Sequence, residues 1–262
     1  MQELEIISTL DGSAQPVLFE AAQGDAPRPL LVGLHTWSAE RRNQEKTLLP
    51  LARERNWNLL LPEFRGPNLT SNPHGQEACG SALARQDILD AVAHVQKNAN
   101  IGAEIFLYGG SGGGHMSLMM AGEAPQLWTA VSSWCPITDL FAWRQENANY
   151  RPHIEFCCGG VPEESEEIAA SYRERSPLFR VERIAQSTLF IHHGKWDASV
   201  PFSHSLKLYQ EIIARSTQAN VFLEIFNGAH EAHAPRALDW FATFLPQQET
   251  SPTENAAQQL SG

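Results

Sequence analysis

The chain has 262 residues, 42% hydrophobic and 19% charged, with a formal net charge of −11. This describes a soluble globular protein with one α/β domain as the prior, and the acidic balance argues against nucleic acid and anionic membranes as partners. Met1 to Ile7 lacks the basic segment and apolar core of a leader, and no apolar run approaches a membrane span, so a cytoplasmic location is the expectation. The four cysteines, Cys79, Cys135, Cys157 and Cys158, lack zinc-ligand spacing and are expected as reduced thiols rather than a vicinal disulfide.

In chain order, residues 4–10 and 16–20 flank Asp11-Gly12 and read as an antiparallel hairpin. A buried strand, 30–34, ends at His35-Thr36-Trp37. A helix follows from Asn43 to Glu54, with Pro50 expected to kink or shorten it, and then a strand from Trp57 to Leu61. Residues 64–80 form a long loop rich in Gly, Pro and Asn, a length that usually marks function. Ala84, Ile88, Ala91, Val92 and Val95 predict an amphipathic helix over 82–97. Strands are expected at 105–108 and 129–134.

Residues 138–185 break the strand-helix rhythm and read as an insertion capping the sheet. It holds a helix over Asp139 to Tyr150 and another starting at Pro162, with acids in its first turn. Strand 187–192, helix 203–215 with Leu206, Tyr209, Ile212 and Ile213 on its inner face, strand 220–226 and helix 236–245 complete the pattern. The expectation is a mostly parallel central sheet with helices on both faces over residues 1–246, then a disordered tail, 247–262.

The most informative stretch is Gly109-Gly110-Ser111-Gly112-Gly113, set between an apolar strand and a buried helix. It matches the nucleophile elbow G-x-S-x-G, where crowded, strained backbone tolerates only residues without a β-carbon around the serine. A Walker loop would need Lys-Ser/Thr after the glycines, and His115-Met116 stands there instead. Serine needs a base in contact and a third group to orient it, and in α/β-hydrolases the chain order is serine, acid, histidine. Asp197 follows strand 187–192 and His230 follows strand 220–226, so three suitable groups fall at one sheet edge. His233 competes with His230 for the base; His230 is preferred because it is nearer the strand end, behind two small residues.

The oxyanion requires two backbone donors, expected from Gly112 and Trp37. Trp134, Trp143 and Trp196, with His35, are expected to line an apolar or stacking substrate pocket. The spacing of His230, Glu231 and His233 is not H-E-x-x-H, so neither metal nor cofactor is expected.

The elbow, His193-Gly194-Lys195-Trp196-Asp197-Ala198-Ser199-Val200-Pro201 and Asn227-Gly228-Ala229-His230-Glu231 together resemble the catalytic domain of the prolyl oligopeptidase family; Phe64-Arg65-Gly66 and Ser176-Pro177-Leu178 fit too. The resemblance covers about residues 4–245. It implies an α/β-hydrolase fold with Ser111 as nucleophile, Asp197 as acid and His230 as base. Acetyl xylan esterases and dienelactone hydrolases share this core. Peptidases of the family usually carry an N-terminal β-propeller, for which this chain has no room, and usually read His-Gly-Gly where His35-Thr36-Trp37 stands. The expectation is therefore a stand-alone serine carboxylesterase acting on small acyl, aromatic or sugar esters, with a small-molecule ester as its partner. A small peptidase or amidase with the same triad, and a non-catalytic binding protein, are the alternatives. The sequence leaves the oligomeric state open.

Overall fold

The computed structural model of the protein describes residues 1–246, so the tail expected at 247–262 lies outside the described residues. Eight strands form one sheet: β1 (Gln2–Ile7), β2 (Ala14–Glu20), β3 (Arg28–Leu34), β4 (Asn58–Pro62), β5 (Ile101–Gly110), β6 (Ala130–Trp134), β7 (Leu189–Gly194) and β8 (Val221–Phe226). Their order is β1-β2-β4-β3-β5-β6-β7-β8. The β1–β2 hairpin and the β2–β4 pair are antiparallel, and every other pairing is parallel. All residues of β4 and β6 are buried, as strands covered on both faces must be.

Nine helices cover the sheet among the described residues: α1 (Glu45–Arg55), α2 (Ala82–Asn98), α3 (Gly112–Glu123), α4 (Leu140–Glu146), α5 (Arg151–Cys158), α6 (Glu166–Glu174), α7 (Val181–Ile184), α8 (Ser203–Arg215) and α9 (Ala234–Ala242). α2, α3, α7 and α8 bury their apolar residues on one face of the sheet, and α1 and α9 on the other. This is the α/β-hydrolase fold. α3 is buried on nearly all sides, and its run of glycine, serine and methionine suits a helix with no solvent face.

The stretch between β6 and β7 carries α4 to α7; α4, α5 and α6 build a third apolar cluster with Trp37, while α7 packs on the sheet. α4 starts where Asp139 accepts the amides of Phe141 and Ala142, and ends at Glu146 rather than at Tyr150. α6 starts four residues after Pro162, because Ser165 caps it by accepting the Ile168 amide. Pro50 neither ends nor shortens α1, which runs on to Arg55. The buried face of α8 also departs from the apolar pattern: His204, Ser205, Leu208 and Ile212 point inward, while Ile213 is exposed. Two polar residues win that face because they have partners, Ser205 on His193 and His204 on Thr138 and Glu146.

Register aligns the carboxyl ends of the parallel strands. Leu34 lies beside Gly109, Gly110 beside Trp134, Trp134 beside His192, and Gly194 beside Phe226. Whatever follows β3, β5, β6, β7 and β8 therefore meets at one edge.

Two buried histidines set an acid limit to this fold. His115, on the buried side of α3, has its Nε2 2.7 Å from the Arg175 carbonyl oxygen, and His192 sits between Trp134 and Phe190. Burial pushes both down to about 4. Unfolded histidine titrates near ~6.5, so between those values the unfolded chain binds protons that the folded chain does not. The stability held above pH ~6.5 is therefore lost as pH falls towards 4, by up to about 3 kcal/mol for each ring. Urea midpoints recorded from pH 7 to 4.5 are expected to fall, and His115→Gln is expected to flatten that fall; a flat wild-type profile would contradict this account.

Candidate active site

β5 runs into α3 through a single residue, Ser111, at φ 56° and ψ −120°. A non-glycine residue there is strained, and the crowded turn holds it in place. Its hydroxyl projects from the strand end and donates to His230 Nε2 at 2.9 Å. The other ring nitrogen, Nδ1, donates to Asp197 Oδ2 at 2.6 Å. Serine, histidine and carboxylate thus form an unbroken hydrogen-bonded line across the ends of β5, β8 and β7. His233 stands apart from it: its ring packs edge-on to Trp134 and lies 3.7 Å from Glu231.

Asp197 has a buried side chain, and every neighbour is a donor. Oδ1 accepts the amides of Ser199 and Val200, both at 2.9 Å. His193 Nε2 is 3.3 Å from Oδ2 and also donates to the Val200 carbonyl oxygen at 2.8 Å, while its Nδ1 accepts from Ser205. Two acceptors at Nε2 place the ring proton there. Burial alone would raise the Asp197 carboxyl, but the hydrogen bonds from His193, His230 and Val200 outweigh it and hold the group well below the usual carboxylate range. His193 is a supporting residue that residue-by-residue reasoning missed, although it opens the motif containing Asp197. Gly194 has its reason as well: a β-carbon there would lie 1.9 Å from the Ala229 carbonyl oxygen, in the loop that delivers His230.

Gly112 and Trp37 meet beside the serine. A β-carbon on Gly112 would lie 2.2 Å from the Trp37 nitrogen, so only glycine lets the two backbones approach this closely. Neither amide has a hydrogen-bond acceptor among the described residues. The Trp37 carbonyl oxygen accepts the Asn68 amide at 2.8 Å, tying this segment to the 64–80 loop.

The expected aromatic pocket is corrected by the structure. Trp134 is fully buried on the α1–α9 side, stacked on His192 at 3.9 Å, with its indole donating to Ser132. Trp143 is a buried residue of α4, donating to the Ser199 carbonyl oxygen. His35 faces the carbonyl oxygens of Thr36 and Glu63 and stacks on Phe64 at 3.8 Å. Trp196 is 63% exposed and bonded to Asn227, outside the cavity. The cavity beside Ser111 holds about 340 Å³ and is walled by polar residues, among them Thr36, Gln44, Thr47 and Tyr108, with Tyr150 from the insertion and Glu231. No motif marks these residues; only the packing of α1 and the insertion against the strand ends brings them in.

Among the described residues one group could offer three metal ligands, Cys135, His193 and Asp197, with donor atoms within 4.8 Å of one another. These donors are already engaged. The Cys135 thiol points at the Glu231 carbonyl oxygen, 3.3 Å away, and burial pushes it up to about 12; His193 Nε2 bears a proton.

A serine hydrogen-bonded to a base and an acid at the carboxyl edge of such a sheet is the arrangement that defines the serine hydrolase class. A model of the prolyl oligopeptidase family matches residues 74–245, and the chain belongs to that family. It is 26% identical over 240 residues to acylamino-acid-releasing enzyme 1 of Oryza sativa subsp. japonica, covering 83% of this chain and 30% of that protein. It is 28% identical over 129 residues to the uncharacterized peptidase YtmA of Bacillus subtilis (strain 168), 49% of each. Among solved structures, Pyrococcus horikoshii acylaminoacyl peptidase matches with a TM-score of 0.73 at 19% identity, over 95% of this chain and 42% of that one. A Mycobacterium tuberculosis puromycin-hydrolyzing peptidase matches with a TM-score of 0.69 at 16% identity, over 92% and 38%. The chain therefore spans half or less of the length of these relatives. No helix among the described residues is long and apolar enough to cross a membrane.

Gly112→Ala is expected to push the Trp37 amide away and slow fluorophosphonate labelling of Ser111 by about 100-fold, the scale of losing one oxyanion donor. A circular-dichroism melt checks that the fold survives. Labelling at the wild-type rate in the folded variant would show that the two amides do not act together.

Proposed function

We propose that the protein is a serine carboxylic-ester hydrolase working through an acyl-enzyme, on small acyl, aromatic or sugar esters. The observation that carries this reading is the line Ser111 Oγ–His230 Nε2, His230 Nδ1–Asp197 Oδ2, beside two amides without acceptors. Ser111 Oγ attacks the ester carbonyl carbon while its proton passes to His230 Nε2. The carbonyl oxygen becomes an oxyanion facing the Gly112 and Trp37 amides. Asp197 stays ionised, orients the ring and stabilises the imidazolium. The imidazolium then gives its proton to the leaving alcohol oxygen, whose bond to carbon breaks. Water attacks the acyl-enzyme, loses a proton to His230, and Ser111 departs with that proton.

Ester preference is supported by chemistry and by the size of the site. An alcohol leaves more readily than an amine and demands less exact protonation. The cavity of about 340 Å³ lies at the small end of the range for ligand pockets. A second reading, a small peptidase or amidase using the same residues, is favoured by the relatives, which are named as peptidases or as an acylamino-acid-releasing enzyme.

Ser111→Ala is expected to abolish labelling and nearly all turnover without unfolding the protein. His230→Ala should cost several orders of magnitude in kcat, and His233→Ala only a few-fold; exchanged effects would move the base to His233. Matched ester and amide substrates, proline amides among them, compare the two readings through kcat/KM. A proline amide cleaved as fast as the best ester would establish the peptidase.

A further inference from the structure

Beside the nucleophile, Tyr108 carries a hydroxyl that has no hydrogen-bond partner among the described residues. Tyr108 is only 2% exposed, and its ring packs on the α1–α9 side of the sheet with Leu48, Leu61 and Phe106. Its hydroxyl makes no hydrogen bond among the described residues, yet it is not sealed in apolar surroundings, because Tyr108 forms part of the wall of the Ser111 cavity. A hydroxyl in a cavity wall with no protein partner is open to hydrogen bonding with water or a ligand.

Gln44 stands in the same wall and is 8% exposed. Its Nε2 donates to the Leu34 carbonyl oxygen at 3.3 Å, which settles the amide orientation and leaves Oε1 as an acceptor without a donor. The hydroxyls of Thr36 and Thr47 join them, also without hydrogen bonds among the described residues. The wall contains neither Lys nor Arg, and its one carboxylic acid is Glu231, so no fixed cation is available to a carboxylate or phosphate. Hydroxyls that donate and accept, together with one amide acceptor, match a neutral group that itself carries hydroxyls.

The cavity also has a side. His230, Glu231 and Ala232 form part of its wall. The leaving oxygen must come within hydrogen-bond reach of His230 Nε2 to be protonated, so the chain beyond that oxygen enters the space bounded by this segment. We infer that Tyr108, with Gln44, Thr36 and Thr47, forms a leaving-group subsite for a neutral polyol, and that Tyr108 is a specificity-determining residue for esters of such alcohols. This deepens the esterase reading and rests on it.

Glycerol monoacetate and propyl acetate share an acyl group and a three-carbon alcohol and differ by two hydroxyls. The wild type is expected to favour glycerol monoacetate in kcat/KM. In Tyr108→Phe the ratio of the two kcat/KM values should fall about tenfold, the worth of one hydrogen bond to substrate. Thr47→Val, at an exposed position that does not bear on folding, should lower the same ratio several-fold and reads the subsite even if Tyr108→Phe fails to fold. A purely structural role for Tyr108 would lower both substrates alike and leave the ratio unmoved, which overturns the inference. A fall instead in the ratio of propyl lactate to propyl propionate would place the subsite on the acyl half and overturn it equally. If the wild type cleaves neither acetate while Ser111 still takes the fluorophosphonate, the esterase reading has failed, and this inference falls with it.

Discussion

Everything at the site depends on a carboxylate that the fold has removed from water. Asp197 is ionised in a buried position, a state that costs several kcal/mol unless every lone pair is met. Here the chain meets them with two amides of its own turn, the ring of His193 and the ring of His230. The consequence is geometric. With its other oxygen already held by Ser199 and Val200, the carboxylate offers His230 one direction, and the ring that follows it presents Nε2 to Ser111. Burial and donors oppose each other in setting the ionisation of Asp197, and the donors win.

A second network holds the other half of the site. Arg65, buried and at φ 68°, pairs with Asp87 at 2.6 Å, Glu77 at 2.6 Å and Asp11 at 2.8 Å, joining α2, the long loop and the turn of the β1–β2 hairpin. These charges sit far from Ser111, but they anchor the loop whose Asn68 amide holds the Trp37 carbonyl oxygen. Asn68 Oδ1 in turn accepts the Cys79 amide, so one side chain ties the two ends of the loop together. Placement of the free Trp37 amide is thus a property of the 64–80 segment as much as of the strand before it. The length of that loop reads as functional in the sequence; its function in the fold is to brace rather than to touch.

The aromatic residues carry the contrary lesson. Four tryptophans close to site motifs suggest a stacking pocket, yet Trp134 and Trp143 are core, Trp196 is on the surface, and Trp37 contributes its backbone. A large ring next to a motif residue serves first to fill volume behind it, because the strand ends are where the interior must close. Polar side chains from separate segments occupy the cavity wall instead: Thr36 after β3, Gln44 just before α1, Thr47 within it and Tyr108 on β5.

The sequence by itself determined the class of fold, the order of the elements, and Ser111 and Asp197 as two members of the hydrogen-bonded line. Strand and helix periodicities are local, and a nucleophile elbow must declare itself in consecutive glycines because its backbone admits nothing else. The spacing of His193, Gly194 and Asp197 is local in the same way: it encodes a turn that supplies its own carboxylate with donors. Only the tertiary structure decided which rings line the cavity, which histidine after β8 bends inward, where α6 begins, and that Ser205 rather than Ile213 faces the core. Those outcomes depend on contacts between residues far apart in the chain, such as Ser205 with His193 through α8 and His230 with Asp197 across β8 and β7. No periodicity within either segment records a partner that arrives from elsewhere.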